Sequence, residues 1–288
     1  MAAPQHRSLL RRIPGQDASD GAGVRLKRSI GSTPALRLDP FLMLDAFRTD
    51  NPDDYIAGFP AHPHRGFETV TYMLDGHMQH RDHMGNTGDL GPGSVQWMTA
   101  GRGIIHSEMP MQRDGRMRGF QLWINLPAAL KMQPPAYRDI PADAIPHAEP
   151  AAGVQLRCIA GHLEGEGWRL SGAVNASGEA ATDPLFCDLW LAPHADITLP
   201  IAEQHAAFLY LDEGAAKVGD APLELDCAHV LGEGRSVRVS GGAEGGRCLL
   251  IAGKPLHEPV VQYGPFVMNT REEIEQALDD YRRGTLAA

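Results

Sequence analysis

Short alternating apolar and polar runs, each closed by glycine or proline, restrict the fold of this chain more than any other feature. They include "TVTYML", "SVQWMT", "GFQLWINL", "DITLPI", "AAFLYL", "SVRVSG" and "CLLIAG". The 32 glycines and 22 prolines are spread over all 288 residues, so no run becomes long. Many short strands at close spacing predict an all-β sandwich or barrel. Helical signals are few. The strongest is "NTREEIEQALDDYRRG", where Thr270 and Glu273 form a capping box before the stripe Ile274, Ala277, Leu278 and Tyr281, and Gly284 follows. "PAALKMQ", after "INLP", is a second helix-like stretch.

The strands fall into two series, about residues 24–126 and 170–252, separated by the Pro/Ala-rich "PPAYRDIPADAIPHAEPAAG". This predicts an N-terminal extension over 1–22, a first barrel over 23–135, a linker over 136–155, and a second barrel with the terminal helix over 156–288. The net charge of −10 disfavours direct nucleic-acid binding. Four widely spaced cysteines without a CxxC pair read as reduced core thiols of a cytoplasmic protein. The arginines of "MAAPQHRSLLRRIPG" stand where a signal peptide is apolar, and no apolar run reaches membrane-spanning length.

The chemistry-bearing residues cluster in "GFPAHPHRGFETVTYMLDG" and "PGSVQWMTAGRGIIHSEMP". On an unbroken strand, His62, His64, Glu68, Val70, Tyr72 and Leu74 share one face, and Arg65, Phe67, Thr69, Thr71 and Met73 the other. His106 and Glu108 form a second i, i+2 pair. Two such pairs on facing strands can hold one ion, and imidazoles with a carboxylate suit iron, zinc, nickel, copper or manganese. Glu68 reads either as a fourth ligand or as a group that orients a histidine. His80 and Asp82 read as pocket or supporting residues, and His77 and His83 as a solvated loop. His194, His205, His229 and His257 fit no ligand spacing. Val70, Tyr72, Leu74 and the "QWM" strand read as barrel core that can also wall a pocket. Trp97 and Trp123 read as structural, and Arg65 as a surface charge or a rim ion pair.

Four motifs in order, "GFPAHPHRGFETVTYML", "GDLGPGSVQWMTAGRGIIHSEMP", "GFQLWINLP" and "EPVVQYGPFVMNTREEI", resemble the pirin family, a branch of the cupins. The resemblance runs from about Pro40 to Tyr281. It implies two tandem cupin (double-stranded β-helix, jelly-roll) barrels with a C-terminal helix and one metal, in the first barrel. It implies His62, His64, His106 and Glu108 as ligands, Glu108 also as catalytic base, and Glu68 as the residue orienting an imidazole. Iron is the implied metal, with Zn, Ni, Cu, Mn or Co open. The implied activity resembles that of quercetin 2,3-dioxygenase: opening a flavonol with dioxygen to give carbon monoxide and a depside. The alternative the family offers is a redox-responsive regulator acting through a protein partner, with no direct nucleic-acid or membrane contact.

Overall fold

The computed structural model describes residues 5–178 and 180–288. It is built of strands, with one α-helix at Arg271–Arg282 and four short 3-10 turns among the described residues. The chain divides into two compact units. One contains 41–142 with 16–31 and 256–288; the other contains 143–255 with 32–40 and the N-terminal stretch ending at Gly15.

The unit containing 41–142 carries a seven-stranded antiparallel sheet. Its order is Ala136–Ile140, Val95–Thr99, Phe67–Asp75, Met117–Asn125, Phe41–Thr49, Val24–Arg28 and Gln16–Asp20. A four-stranded sheet of Phe59–His64, Ile104–Pro110, Met78–Asp82 and Thr87–Leu90 belongs to the same unit. Leu26, Phe47, Tyr55, Met73, Met78, Leu90 and Met117, drawn from both sheets, form one buried cluster. The other unit has a nine-stranded sheet, with Val154, Leu156, Leu189, Leu209, Val237 and Leu250 in its core. All four cysteines are free and buried. No helix among the described residues is long and apolar enough to cross a membrane.

The segmentation differs from the sequence reading at three places. Leu9–Pro14, read as part of an extension, is an edge strand paired with Cys227–Leu231. The 136–155 stretch contains two paired strands: Ala136–Ile140 joins Val95–Thr99, and His147–Ala151 joins Val154–Ala160. The terminal helix belongs to the unit with 41–142, because Ile274 and Ala277 pack against Phe266, Met268 and Leu286. Its capping box is formed: Glu273 N–H donates to Thr270 Oγ1 at 3.2 Å, and Thr270 N–H to Glu273 Oε2 at 2.9 Å. "PAALKMQ" makes only a 3-10 turn, Ala128–Leu130.

Candidate metal centre

His62 and His64 end the strand Phe59–His64, which pairs antiparallel with Ile104–Pro110 so that His106 faces His62 directly. Between His106 and Glu108 the register slips, so that these three residues face the four from Phe59 to His62. Such a bulge re-aims side chains. The three imidazoles converge, with ring centroids 4.4 Å (His62–His106), 4.7 Å (His62–His64) and 4.8 Å (His64–His106) apart. One ligand nitrogen from each lies within 4.8 Å of the others.

Three imidazoles packed this closely suit a cation only if each presents a lone pair. The bond between His62 Nδ1 and the Pro60 carbonyl oxygen (2.9 Å) puts the proton on Nδ1, since a carbonyl only accepts. Nε2 of His62 is then a lone pair, 2.9 Å from Nε2 of His64. Nε2 of His106 is buried with no hydrogen-bond partner. Burial, with the neighbouring imidazoles, holds His64 and His106 well below the ordinary histidine range, so both are neutral. Three converging imidazoles, one of them with a lone pair turned to the others, match a divalent transition metal, and the set does not discriminate among Fe, Zn, Ni, Cu, Mn and Co.

The strand carrying the first pair does not continue into Phe67–Asp75, which lies in the other sheet. Gly66 breaks it with φ +91°, and a Cβ there would strike the Val267 carbonyl. The break shifts the alternation, so the odd positions Thr71 and Met73 share surroundings with the site while Val70, Tyr72 and Leu74 do not line its cavity. The wall expected of those three, and of the "QWM" strand, comes from other elements. The cavity of about 270 Å³ is lined by His62, His64 and Glu108, by apolar Leu26, Phe47, Phe59, Met78 and Trp123, and by Arg28, Asp45 and Gln121. Trp123, read as structural, stacks on Phe67 at 4.3 Å and meets His64 edge-on at 5.4 Å.

The two glutamates occupy different surroundings. Glu108 is buried and lines the cavity, and Thr71 Oγ1–H donates to its Oε1 at 3.0 Å. Thr71 is in turn 2.6 Å from the Gln121 side-chain amide. Glu68 is outside the cavity lining and accepts from Thr99 Oγ1 at 2.6 Å; burial raises its carboxyl. None of its hydrogen bonds among the described residues reaches a histidine. The group beside one of the three converging histidines is instead His80, fully buried, with Nδ1 3.2 Å from His106 Nδ1. Its signal in the sequence was weak, because "DGHMQHRDHMG" looks like a loop; Met78–Asp82 is a strand on which alternate residues are buried. His77 and His83 are exposed, as read.

Behind the site, Arg65 is buried and donates to Arg102 O and, at 2.7 Å, to Asp280 Oδ2 on the terminal helix. Lys131 is fully buried, its Nζ donating to Gly66 O, Asn125 Oδ1 and Val267 O at 2.6–3.0 Å; burial lowers it to about 8. Both tie the ligand-bearing turn to the C-terminal segment of the same unit. His205 and His229 belong to the other unit, where His205 Nε2 sits 3.3 Å from Asp183 and His229 Nε2 accepts the Glu224 N–H.

Residues 23–124 match the pirin domain and residues 186–287 the pirin C-terminal cupin domain. A Pseudomonas aeruginosa protein named "Putative quercetin 2,3-dioxygenase" is 54% identical over 98% of this chain and 99% of its own length. Homo sapiens pirin is 42% identical over 94% and 90%. The crystal structure of quercetin 2,3-dioxygenase from Acinetobacter baumannii superposes with a TM-score of 0.87 at 34% identity, covering 98% of this chain and 99% of the other.

Proposed function

The chain belongs to the pirin family, and on that premise we propose that it is a metal-dependent dioxygenase of the pirin type that opens flavonols such as quercetin. The observation that carries this reading is the position of three converging histidines and Glu108 at a largely apolar cavity of about 270 Å³. Cavities lined mainly by apolar and aromatic side chains with a few placed polar groups are the usual ligand sites. The names of the Pseudomonas and Acinetobacter proteins support the same chemistry.

In this reading His62, His64, His106 and Glu108 hold one ion, which we assign as iron. When bound, the ion supplies Lewis acidity that favours the ionised form of a flavonol 3-hydroxyl. The chain supplies the rest. Thr71 holds Glu108 Oε1, and Oε2 takes the hydroxyl proton when it loosens from the ion. Leu26, Phe47, Phe59, Met78 and Trp123 hold the ring system and exclude water from the activated ring. One dioxygen is consumed per flavonol, and one carbon monoxide and one depside leave, so the atoms balance without another oxidant.

The experiment is oxygen uptake and carbon monoxide release by metal-loaded protein with quercetin, against free metal in buffer. A flavonoid lacking the 3-hydroxyl serves as the second control. We expect turnover of quercetin only. No uptake above the buffer control would end the dioxygenase reading and leave a metal-bearing regulator that works through a protein partner.

A further inference from the structure

The three ligand histidines are not oriented in the same way. His62 is locked by a carbonyl, which can only accept, so its free nitrogen is Nε2 whatever surrounds it. His106 has no such lock. Its Nδ1 faces another imidazole nitrogen, Nδ1 of His80, at 3.2 Å. One of these two nitrogens must carry the proton and the other the lone pair. If His80 donates, His106 takes its proton on Nε2 and cannot bind an ion through it. If His80 accepts, the proton of His106 is on Nδ1 and Nε2 is free.

We propose that His80 is a positioning residue that accepts the Nδ1 proton of His106 and so keeps His106 Nε2 unprotonated and available to the metal. This rests on the reading of His62, His64 and His106 as metal ligands. Three observations on His80 carry it. The side chain is fully buried, so bulk water does not compete for its Nδ1. Its ring is fixed from outside the pair, stacked on Tyr137 at 5.3 Å and 29°, and its backbone is paired with Glu108 across the ladder. Its Nε2 is buried and has no partner among the described residues. A buried nitrogen with no partner is costly and calls for an explanation, and a role for the ring's other nitrogen beside His106 is one. Metal-bound histidines commonly give their second N–H to an acceptor that sets ring orientation and raises ligand strength. Here that acceptor is a second histidine rather than a carboxylate, so the site gains no further negative charge.

The test uses the full-length, metal-free protein with Co²⁺ as the probe, its dissociation constant measured by chelator competition. His80→Leu removes the acceptor. His80→Asn restores one, because its Oδ1 stands near the place of Nδ1. We expect His80→Leu to weaken Co²⁺ binding about 10–100-fold and His80→Asn to recover most of the loss. Nitrogen-15 spectra of the Zn²⁺-loaded wild type should show His106 protonated at Nδ1 and His80 at Nε2. Wild-type affinity in His80→Leu, no recovery in His80→Asn, or a proton on His80 Nδ1 would each overturn the proposal. If His80→Leu fails to fold, the Asn variant and the spectra still decide it. Failure of the wild type to hold Co²⁺ would instead remove the metal-site reading beneath it.

Discussion

Arg28→Met tests whether the cavity wall is held by a buried ion pair. Arg28 closes on Asp45 with two bonds, Nε–Oδ1 at 2.7 Å and Nη2–Oδ2 at 2.6 Å, and Nη2 also reaches Asp20 at 2.7 Å. Asp45 is 2% exposed. The hydrogen bond that Arg28 donates to Asp45 raises the guanidinium, while burial pushes the Asp45 carboxyl up even with Arg28 beside it. Methionine keeps most of the apolar stem and leaves a buried carboxylate without its partner. Removing one member of such a pair costs roughly 3–5 kcal/mol. The Asp20 contact, half exposed, adds at most about 1 kcal/mol. Because the Arg28 side chain is 24% exposed, the expected loss is at the lower end, about 3 kcal/mol. The pH dependence has a definite sign. With its carboxyl raised in the folded state, Asp45 binds a proton more tightly there than in the unfolded chain. The penalty is therefore largest above the folded value and shrinks as pH falls toward the unfolded value near ~3.9. Urea unfolding followed by tryptophan fluorescence at pH 8 and pH 5 should show the larger loss at pH 8. Arg28→Met/Asp45→Asn should recover part of it, since the uncompensated charge is gone. Stability within about 0.5 kcal/mol of wild type at both pH values would refute the reasoning.

His64→Ala should empty the metal site while His205→Ala leaves metal content unchanged, read by elemental analysis of purified protein. Glu108→Gln should lower metal binding and oxygen uptake together, because the residue is assigned as both ligand and base; loss of neither would remove both roles. Glu68→Gln should leave metal content near wild type, because its bonds run to Thr99 and not to an imidazole; a 10–100-fold weaker metal affinity would restore the orienting role expected from the sequence. His229 is held below the ordinary range by burial, and its Nε2 accepts the Glu224 N–H, so it must stay neutral when folded. Stability of its unit should therefore fall as pH drops below about 6.5, where the unfolded chain takes up the proton first. His229→Gln, which keeps an acceptor at the same place, should flatten that slope in thermal melts.

The fold class was legible because it rests on local signals. Alternation within each run and glycine or proline between runs specify short strands, and the Thr270–Glu273 box specifies the helix start. What escaped was long-range pairing. Nothing in "LLRRIP" says that its partner is Cys227–Leu231, more than 200 residues away. Nothing in "REEIEQALDDYR" says that its apolar stripe packs on Phe266, Met268 and Leu286 within the unit of 41–142. Edge strands and terminal helices are specified by the surface they meet, and that surface is assembled from distant sequence. The Pro-rich stretch after residue 133 misled for a related reason: proline is tolerated beside short edge strands, so its density does not exclude strands such as Ala136–Ile140.

The site divides along the same line. Residues two apart on one strand are visible as a pair, so His62 with His64 and His106 with Glu108 stood out. Face assignment failed one turn later, where Gly66 resets the alternation and exchanges the inward set from Val70 and Tyr72 to Thr71 and Met73. Supporting residues have no spacing rule at all. Thr71 meets Glu108 from another strand and is itself met by Gln121, and His80 meets His106 across a ladder. Spacing does not separate Glu108 from Glu68, since both follow a histidine pair or stand within one in the sequence; the family resemblance assigns them different roles, and the fold gives them different surroundings. One lines the cavity and the other turns to Thr99. If the site holds a metal as proposed, its affinity should depend also on buried polar residues such as His80 that stand behind His62, His64 and His106, and a substitution there should weaken binding with those three histidines unchanged.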